Sequence, residues 1–167
     1  MEGKTVKESS VVMSQLMNPQ DTNPAGNVHG GVIMKLIDTA AGVAAARHAR
    51  ANVVTAAIDR LDFHHPAFVG NLMILRASLT FVGKTSMEVG VRVETENLIT
   101  GKRRHTASAY LTFVALDNGG QPLPLPPLIL ETEEELRRNR EARARRETRL
   151  AEKKKEKACQ LAADSCK

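Results

Sequence analysis

The spacing of apolar residues changes twice along the chain, and each change marks a new element. Ser9 to Met17 is short and apolar and predicts a first strand. Asn18 to Gly26 collects Asn, Pro, Asp and Gly, the composition of a loop. From Gly31 the apolar positions, from Val32 and Ile33 through Leu36, Ala40 and Ala44, surround a helix on nearly every side. A helix that is apolar all round is a buried one. Before Arg47 its only charges are Lys35 and Asp38. It should end near His48–Arg50, where basic side chains suit the C-terminal end of the dipole.

Beyond that helix the period becomes two. Val53 to Phe63 reads as a strand that breaks at His64-His65-Pro66. Met73, Leu75, Ala77, Leu79 and Phe81 alternate with polar residues, as do Met87, Val89, Val91 and Val93, and then Ala107, Ala109, Leu111 and Phe113. Short turns at Gly83–Ser86 and Leu98–Lys102 separate these runs, which predicts an antiparallel meander. One face is apolar and the other half polar, as when one side packs on a helix and the other meets water or a partner. The plan is strand, buried helix, then four long strands: an α+β fold with an antiparallel sheet wrapped around one helix.

Composition narrows the possibilities. The 167 residues suit one domain with an appendage, and a net charge of +5 is modest. Residues 131–167 hold 12 Lys/Arg against 9 Asp/Glu, or +3, while residues 1–130 hold 12 against 10, or +2. The basic excess thus sits mostly in the tail, where interleaved Glu and Arg predict a self-paired, solvated helix. The expected organisation is a domain over 8–117, a Pro/Gly-rich linker over 118–130, and a charged tail over 131–167, helical or partly disordered. Cys159 and Cys166 are the only cysteines and fit no zinc spacing, so no metal is expected and a reducing, cytoplasmic setting is the simpler reading. No apolar stretch approaches the ~20 residues of a spanning helix. Trp is absent and Tyr110 is the single tyrosine, which argues against a nucleic-acid stacking platform.

Gly26-Asn27-Val28-His29-Gly30-Gly31 directly precedes the helix. Glycines there allow close approach to the backbone, and the first helical N–H groups have no internal partner. A carbonyl set against them would be polarised and its oxyanion stabilised. Alone, the segment reads better as a plain glycine-rich helix entry with Asn27 as a cap. Asp38 adds weight to the chemical reading: a carboxylate on a buried helix is costly unless paired or needed. Gly31 and Asp38 lie about 10 Å apart along a helix at ~1.5 Å per residue. Both can act on one carbonyl if a second copy places its helix antiparallel alongside, which makes the site a shared one.

Asn27-Val28-His29-Gly30-Gly31, Lys35 to Gly42 and Ala45-Ala46-Arg47-His48 together resemble the hotdog-fold acyl-CoA hydrolases of the cytosolic long-chain type. Val54–Asp59, Val82–Val89 and Leu98–Arg103 fit the same family, and the resemblance covers roughly residues 8–150. It implies a hotdog fold, an acyl-CoA thioesterase activity, and dimers that assemble into hexamers. By resemblance, Asn27 positions the water or the substrate carbonyl. Asp38 activates that water or attacks directly, Gly30 or Gly31 supplies the oxyanion hole, and His29 supports. Lys84, Thr85 and Ser86 are candidates for holding CoA, with Arg103 and Arg104 behind them. CoA is part of substrate and product, so no cofactor is expected, nor is a nucleic-acid or membrane partner.

Rival readings remain. Gly83-Lys84-Thr85 lacks the earlier glycine of a phosphate-binding loop, since Ser78 stands there. A non-catalytic acyl-CoA binder is the main alternative. Free-CoA release separates hydrolysis from that reading and from hotdog hydratases.

Overall fold

The computed structural model describes the backbone of residues 1–164 and the side chains of residues 1–159; Cys166 lies outside the described residues. In chain order the elements are β1 (Lys4–Thr5), α1 (Val6–Ser9), β2 (Val11–Leu16), a 3-10 turn (Pro19–Asp21), α2 (Gly30–Ala49), β3 (Asn52–Phe63), β4 (Asn71–Val82), β5 (Ser86–Asn97), β6 (Arg103–Leu116), β7 (Leu128–Ile129) and α3 (Glu133–Asp164). The five long strands form one antiparallel sheet in the order β2-β4-β5-β6-β3.

The alternation read from sequence sets the faces of this sheet. Met73, Leu75, Ala77 and Leu79 of β4 point to α2, with Met87, Val89, Val91 and Val93 of β5 and Ala107, Ala109, Leu111, Phe113 and Ala115 of β6, all at most 3% exposed. Facing them, Ala40, Ala41, Ala44 and Ala45 of α2 are fully buried. Their small side chains let the helix axis lie close against the sheet, while Ile33, Leu36 and Ile37 fill the space nearer its start. The β5–β6 turn closes with Asn97 Oδ1 accepting from the N–H groups of Ile99 and Thr100, and Gly101 takes the left-handed φ of 68° that a side chain would resist.

Three expectations change. The first strand starts at Val11, because Val6–Ser9 forms one helical turn with Ser9 buried beneath it. The helix α2 is not buried all round: Met34, Lys35, Asp38, Thr39 and Val43 form an exposed stripe. The charged tail is more than a solvated face. Arg137 does pair within the helix, with Glu134 and Glu141. Yet Asn139 and Ala142 are buried, and Arg138, Arg145 and Arg149 reach Ser78, Glu88 and Asp59 on the outer face of the sheet. The Arg145 guanidinium also lies 3.7 Å over the Tyr110 ring. The half-polar outer face read from sequence is therefore partly covered by the chain's own α3.

The linker returns to the core's far end. Leu128–Ile129 pairs in parallel with Lys4–Thr5, and His48, buried at the end of α2, donates from Nε2 to the Pro126 carbonyl at 2.8 Å.

Candidate active site

The loop before α2 is folded by an asparagine that the sequence reading passed over. Asn23 Oδ1 accepts from the N–H groups of Ala25 (3.0 Å) and Asn27 (3.3 Å). Val28 N–H then donates to the Ala67 carbonyl and His29 N–H to the Asp21 carbonyl, which pins the loop from both sides. A cleft of about 340 Å3 opens between this loop and the end of β3, lined by Asn23, Asn27, Gly30, Phe63 and His64 among others. His64 packs tilted against His105 with ring centroids 4.6 Å apart, and burial holds the His105 imidazole below its ordinary pKa.

His29 caps the helix, a position sequence reasoning gave to Asn27. Its Nδ1 accepts from Gly31 N–H at 2.9 Å. An unprotonated Nδ1 is needed for this, and the bond engages the donor predicted of Gly31. The Gly30 N–H has no acceptor among the described residues and adjoins the cleft. Of the two backbone donors expected there, Gly30 is the one open to a substrate oxygen.

Asp38 departs from expectation. Within one copy its side chain is exposed on the open stripe of α2, because among the described residues no element covers that face and β3 only flanks it. It is not among the residues lining the Asn23–Gly30 cleft. Thr55 of β3, unremarked in the sequence, donates its hydroxyl to Asp38 Oδ1 at 2.7 Å. The two residues are far apart in sequence, so only the packing of α2 on β3 brings them together. Around them the surface is apolar, with Val54, Ile58 and Phe63 of β3 each 41–50% exposed.

The residues predicted to hold CoA fall into two separate places. Lys84 and Thr85 form the turn before β5, with Ser86 its first residue, and the Lys84 carbonyl accepts from Leu125 N–H next to the Pro126 that His48 of α2 contacts. Arg103 and Arg104 follow β5, at the end of the sheet that carries the cleft. The rest of β5, Met87 to Asn97, separates them, a strand length of about 36 Å at ~3.3 Å per residue. The structure therefore does not bring both sets to one ligand within one copy. Arg103 is neutralised by Glu96 at 2.7 Å. Arg104 instead lines a second cleft, of about 330 Å3, with Lys102, Phe68 and Thr100, and this cleft meets the first at Pro66. Lys102 was not among the predicted residues.

Residues 25–102 match the model of the thioesterase superfamily. Over 135 residues the chain is 44% identical to an uncharacterized acyl-CoA thioester hydrolase of Bacillus subtilis, covering 81% of this chain and 78% of that protein. This chain belongs to the thioesterase superfamily. Another relative, the rat cytosolic acyl coenzyme A thioester hydrolase, is 40% identical over 146 residues, 86% of this chain but 38% of that larger protein. Among solved structures, an apo-hexameric acyl-CoA thioesterase superposes with a TM-score of 0.88 at 41% identity, covering 91% of this chain and 97% of that one. An acyl-CoA hydrolase from Staphylococcus aureus, in complex with butyryl-CoA, CoA and CoA disulfide, gives 0.86 at 35% identity, with coverages of 93% and 94%. That hydrolase has also been solved with alanine in place of an aspartate, an asparagine or a threonine. The expected hotdog fold and the family resemblance both hold for this thioesterase-superfamily chain.

Proposed function

We propose that this chain hydrolyses acyl-CoA to a free fatty acid and CoA, at a site completed by a second copy. The observation that carries the reading is the placement of Asp38. It is fixed by Thr55 on an open face, about 12 Å along the helix at ~1.5 Å per residue from the cleft that holds the free Gly30 N–H. The edge strand β3 beside it offers unpaired backbone and exposed Val54 and Ile58. Such an edge is a template for pairing with another strand. A second copy added antiparallel at β3 sets its α2 beside this one, so Asp38 of one copy faces the cleft of the other.

In the shared site Asp38 takes a proton from a water molecule, and the resulting hydroxide attacks the thioester carbonyl carbon. The oxyanion meets Gly30 N–H. Collapse breaks the C–S bond, the CoA sulfur receives the proton, and the carboxylic acid departs. An asparagine side chain holds the water or the carbonyl. Asn23 and Asn27 both line the cleft. In the S. aureus hydrolase the replaced asparagine, aspartate and threonine follow one another at intervals of 15 and 17 residues. Asn23, Asp38 and Thr55 stand at the same intervals (38 − 23 = 15, 55 − 38 = 17), which supports Asn23 in this role with Asn27 beside it. The CoA phosphates lie toward Lys102 and Arg104 of the copy that supplies the cleft, or toward Lys84, Thr85 and Ser86 of another. The names of the relatives support assembly into hexamers and a cytosolic setting.

Free-CoA release from mixed variants tests the reading. Asp38→Asn and Asn23→Ala should each be nearly inactive alone. Co-refolded in equal amounts, random pairing restores about one intact site in four. No recovery on mixing places both residues in one copy. Full activity of Asp38→Asn alone removes Asp38 from the site, and a wild type that releases no CoA leaves a binding protein in place of an enzyme.

A further inference from the structure

Helix α3 does not stop where its own sheet stops. Asn139 bonds to the Thr80 carbonyl on β4, Arg145 reaches Glu88 on β5, and Arg149 reaches Asp59 on β3 and Thr112 on β6. The helix thus crosses the sheet strand by strand and arrives at the β3 edge by Arg149. It then continues to Asp164, about 22 Å further at ~1.5 Å per residue. Strands lie about 4.8 Å apart, so this overhang is as wide as four strands that the chain does not possess. Beneath its first turns lies an open slot of about 520 Å3, backed by Ala57 and Ile58 of the edge strand and roofed by Thr148, Glu152, Lys153 and Glu156.

We propose that the distal half of α3 is an arm that reaches across the β3 edge and clasps the outer sheet face of a second copy. This rests on the edge-to-edge pairing proposed above and adds a separate contact to it. A two-fold axis at the edge runs the two arms side by side and antiparallel, as a self-complementary interface requires. The arm carries the charges for such a meeting. Glu147 and Glu152 are exposed on either side of Leu150, which is itself 40% exposed, and Lys153, Lys154 and Lys155 follow. Turned about an axis near Leu150, Glu147 of one arm faces Lys153 of the other.

Isotope-mixed cross-linking tests the arm directly. Unlabelled and 15N-labelled protein is co-refolded in equal amounts and treated with a zero-length carbodiimide, which joins carboxylates to amines in contact. Glu147 or Glu152 peptides should be joined to Lys153–Lys155 peptides with one half labelled and the other not. A dimeric or larger species by sedimentation, with only same-label cross-links in this segment, overturns the arm and leaves the edge pairing standing. A monomer at micromolar concentration overturns both. In a second measurement, Glu147→Lys with Glu152→Lys should raise the dimer dissociation constant at least about tenfold. Adding Lys153→Glu, Lys154→Glu and Lys155→Glu to the same chain should restore it, and failure of that rescue also counts against the arm.

Discussion

Thr55 donates its hydroxyl to Asp38 Oδ1 at 2.7 Å, which ties the exposed stripe of α2 to β3, an edge strand of the sheet. The bond occupies one carboxylate oxygen and fixes the side chain's rotation. Oδ2 is left to take a proton from water.

Removing the fixing group should lower turnover more than binding. Thr55→Ala is expected to reduce kcat for CoA release by about tenfold to a hundredfold, the cost of misplacing a catalytic group by about an ångström. Asp38→Asn should lose about 10²- to 10⁴-fold, the worth of a general base. Thr55→Ser keeps the hydroxyl and should recover most of the activity. Steady-state kinetics on the three variants checks this; a Thr55→Ala enzyme with wild-type kcat removes Thr55 from the site.

The two asparagines of the cleft should separate cleanly. Asn23→Asp keeps the Oδ1 that accepts from Ala25 and Asn27, so the loop stays folded, but it loses the amide donor. If that amide positions the water or carbonyl, CoA release falls at least about tenfold with an unchanged unfolding midpoint. Asn27→Ala is the comparison. A larger loss there than in Asn23→Asp gives the role to Asn27.

Stability should fall on acidification. Burial holds the His48 imidazole below its ordinary pKa, partly offset by its bond to the Pro126 carbonyl, and Nδ1 has no partner. The unfolded chain, with a histidine near about 6.5, therefore takes up the proton first as pH drops. The stability His48 contributes is present above that value and is lost as pH falls through the lowered folded-state value. Urea midpoints at pH 7.5 and 5.5 should differ in the wild type and converge in His48→Gln, which keeps a donor for Pro126. His105 is shifted the same way and should leave a smaller residual slope. Equal slopes in both proteins would rule His48 out as the source.

The ion pairs under α3 should matter far more than those along it. Glu88 is buried against Arg145 and also accepts from Thr80, so Glu88→Ala strands a guanidinium beneath the helix. A loss of about 3 kcal/mol is expected. Arg137→Ala breaks two exposed pairs and should leave the urea midpoint unmoved. Similar effects from the two substitutions would mean that α3 is not held by its buried charges.

The strands and the long helix were legible because their signal is local: a period of two with turn residues between, and an apolar run after a glycine-rich entry. The relationships that sequence could not display are long-range. Asp38 reads as buried when its helix is taken alone, and only the folded sheet reveals that the stripe carrying it faces outward. Thr55 looks like any strand threonine until α2 lies over it. Glu88 alternates as a surface residue should, and its burial comes from an arginine 57 positions later. Asn23 sits in a loop whose composition announces a turn without saying which side chain organises it. His29 displaced Asn27 as the helix cap because its ring nitrogen lies within reach of the Gly31 N–H.

The edge of β3 has a consequence for how the protein is made. Val54, Ile58 and Phe63 stand exposed along twelve residues of strand with one side unpaired. A newly folded copy therefore displays the kind of surface that seeds aggregates. The bulges between Thr55 and Ala57 and between Ile58 and Arg60 interrupt that surface and restrict which strand can add to it. Assembly then competes with misassembly from the moment of folding. Yield in a heterologous host should depend on how quickly copies meet their own kind, and a charge placed at Ile58 would trade the enzyme's site for a soluble, inactive single chain.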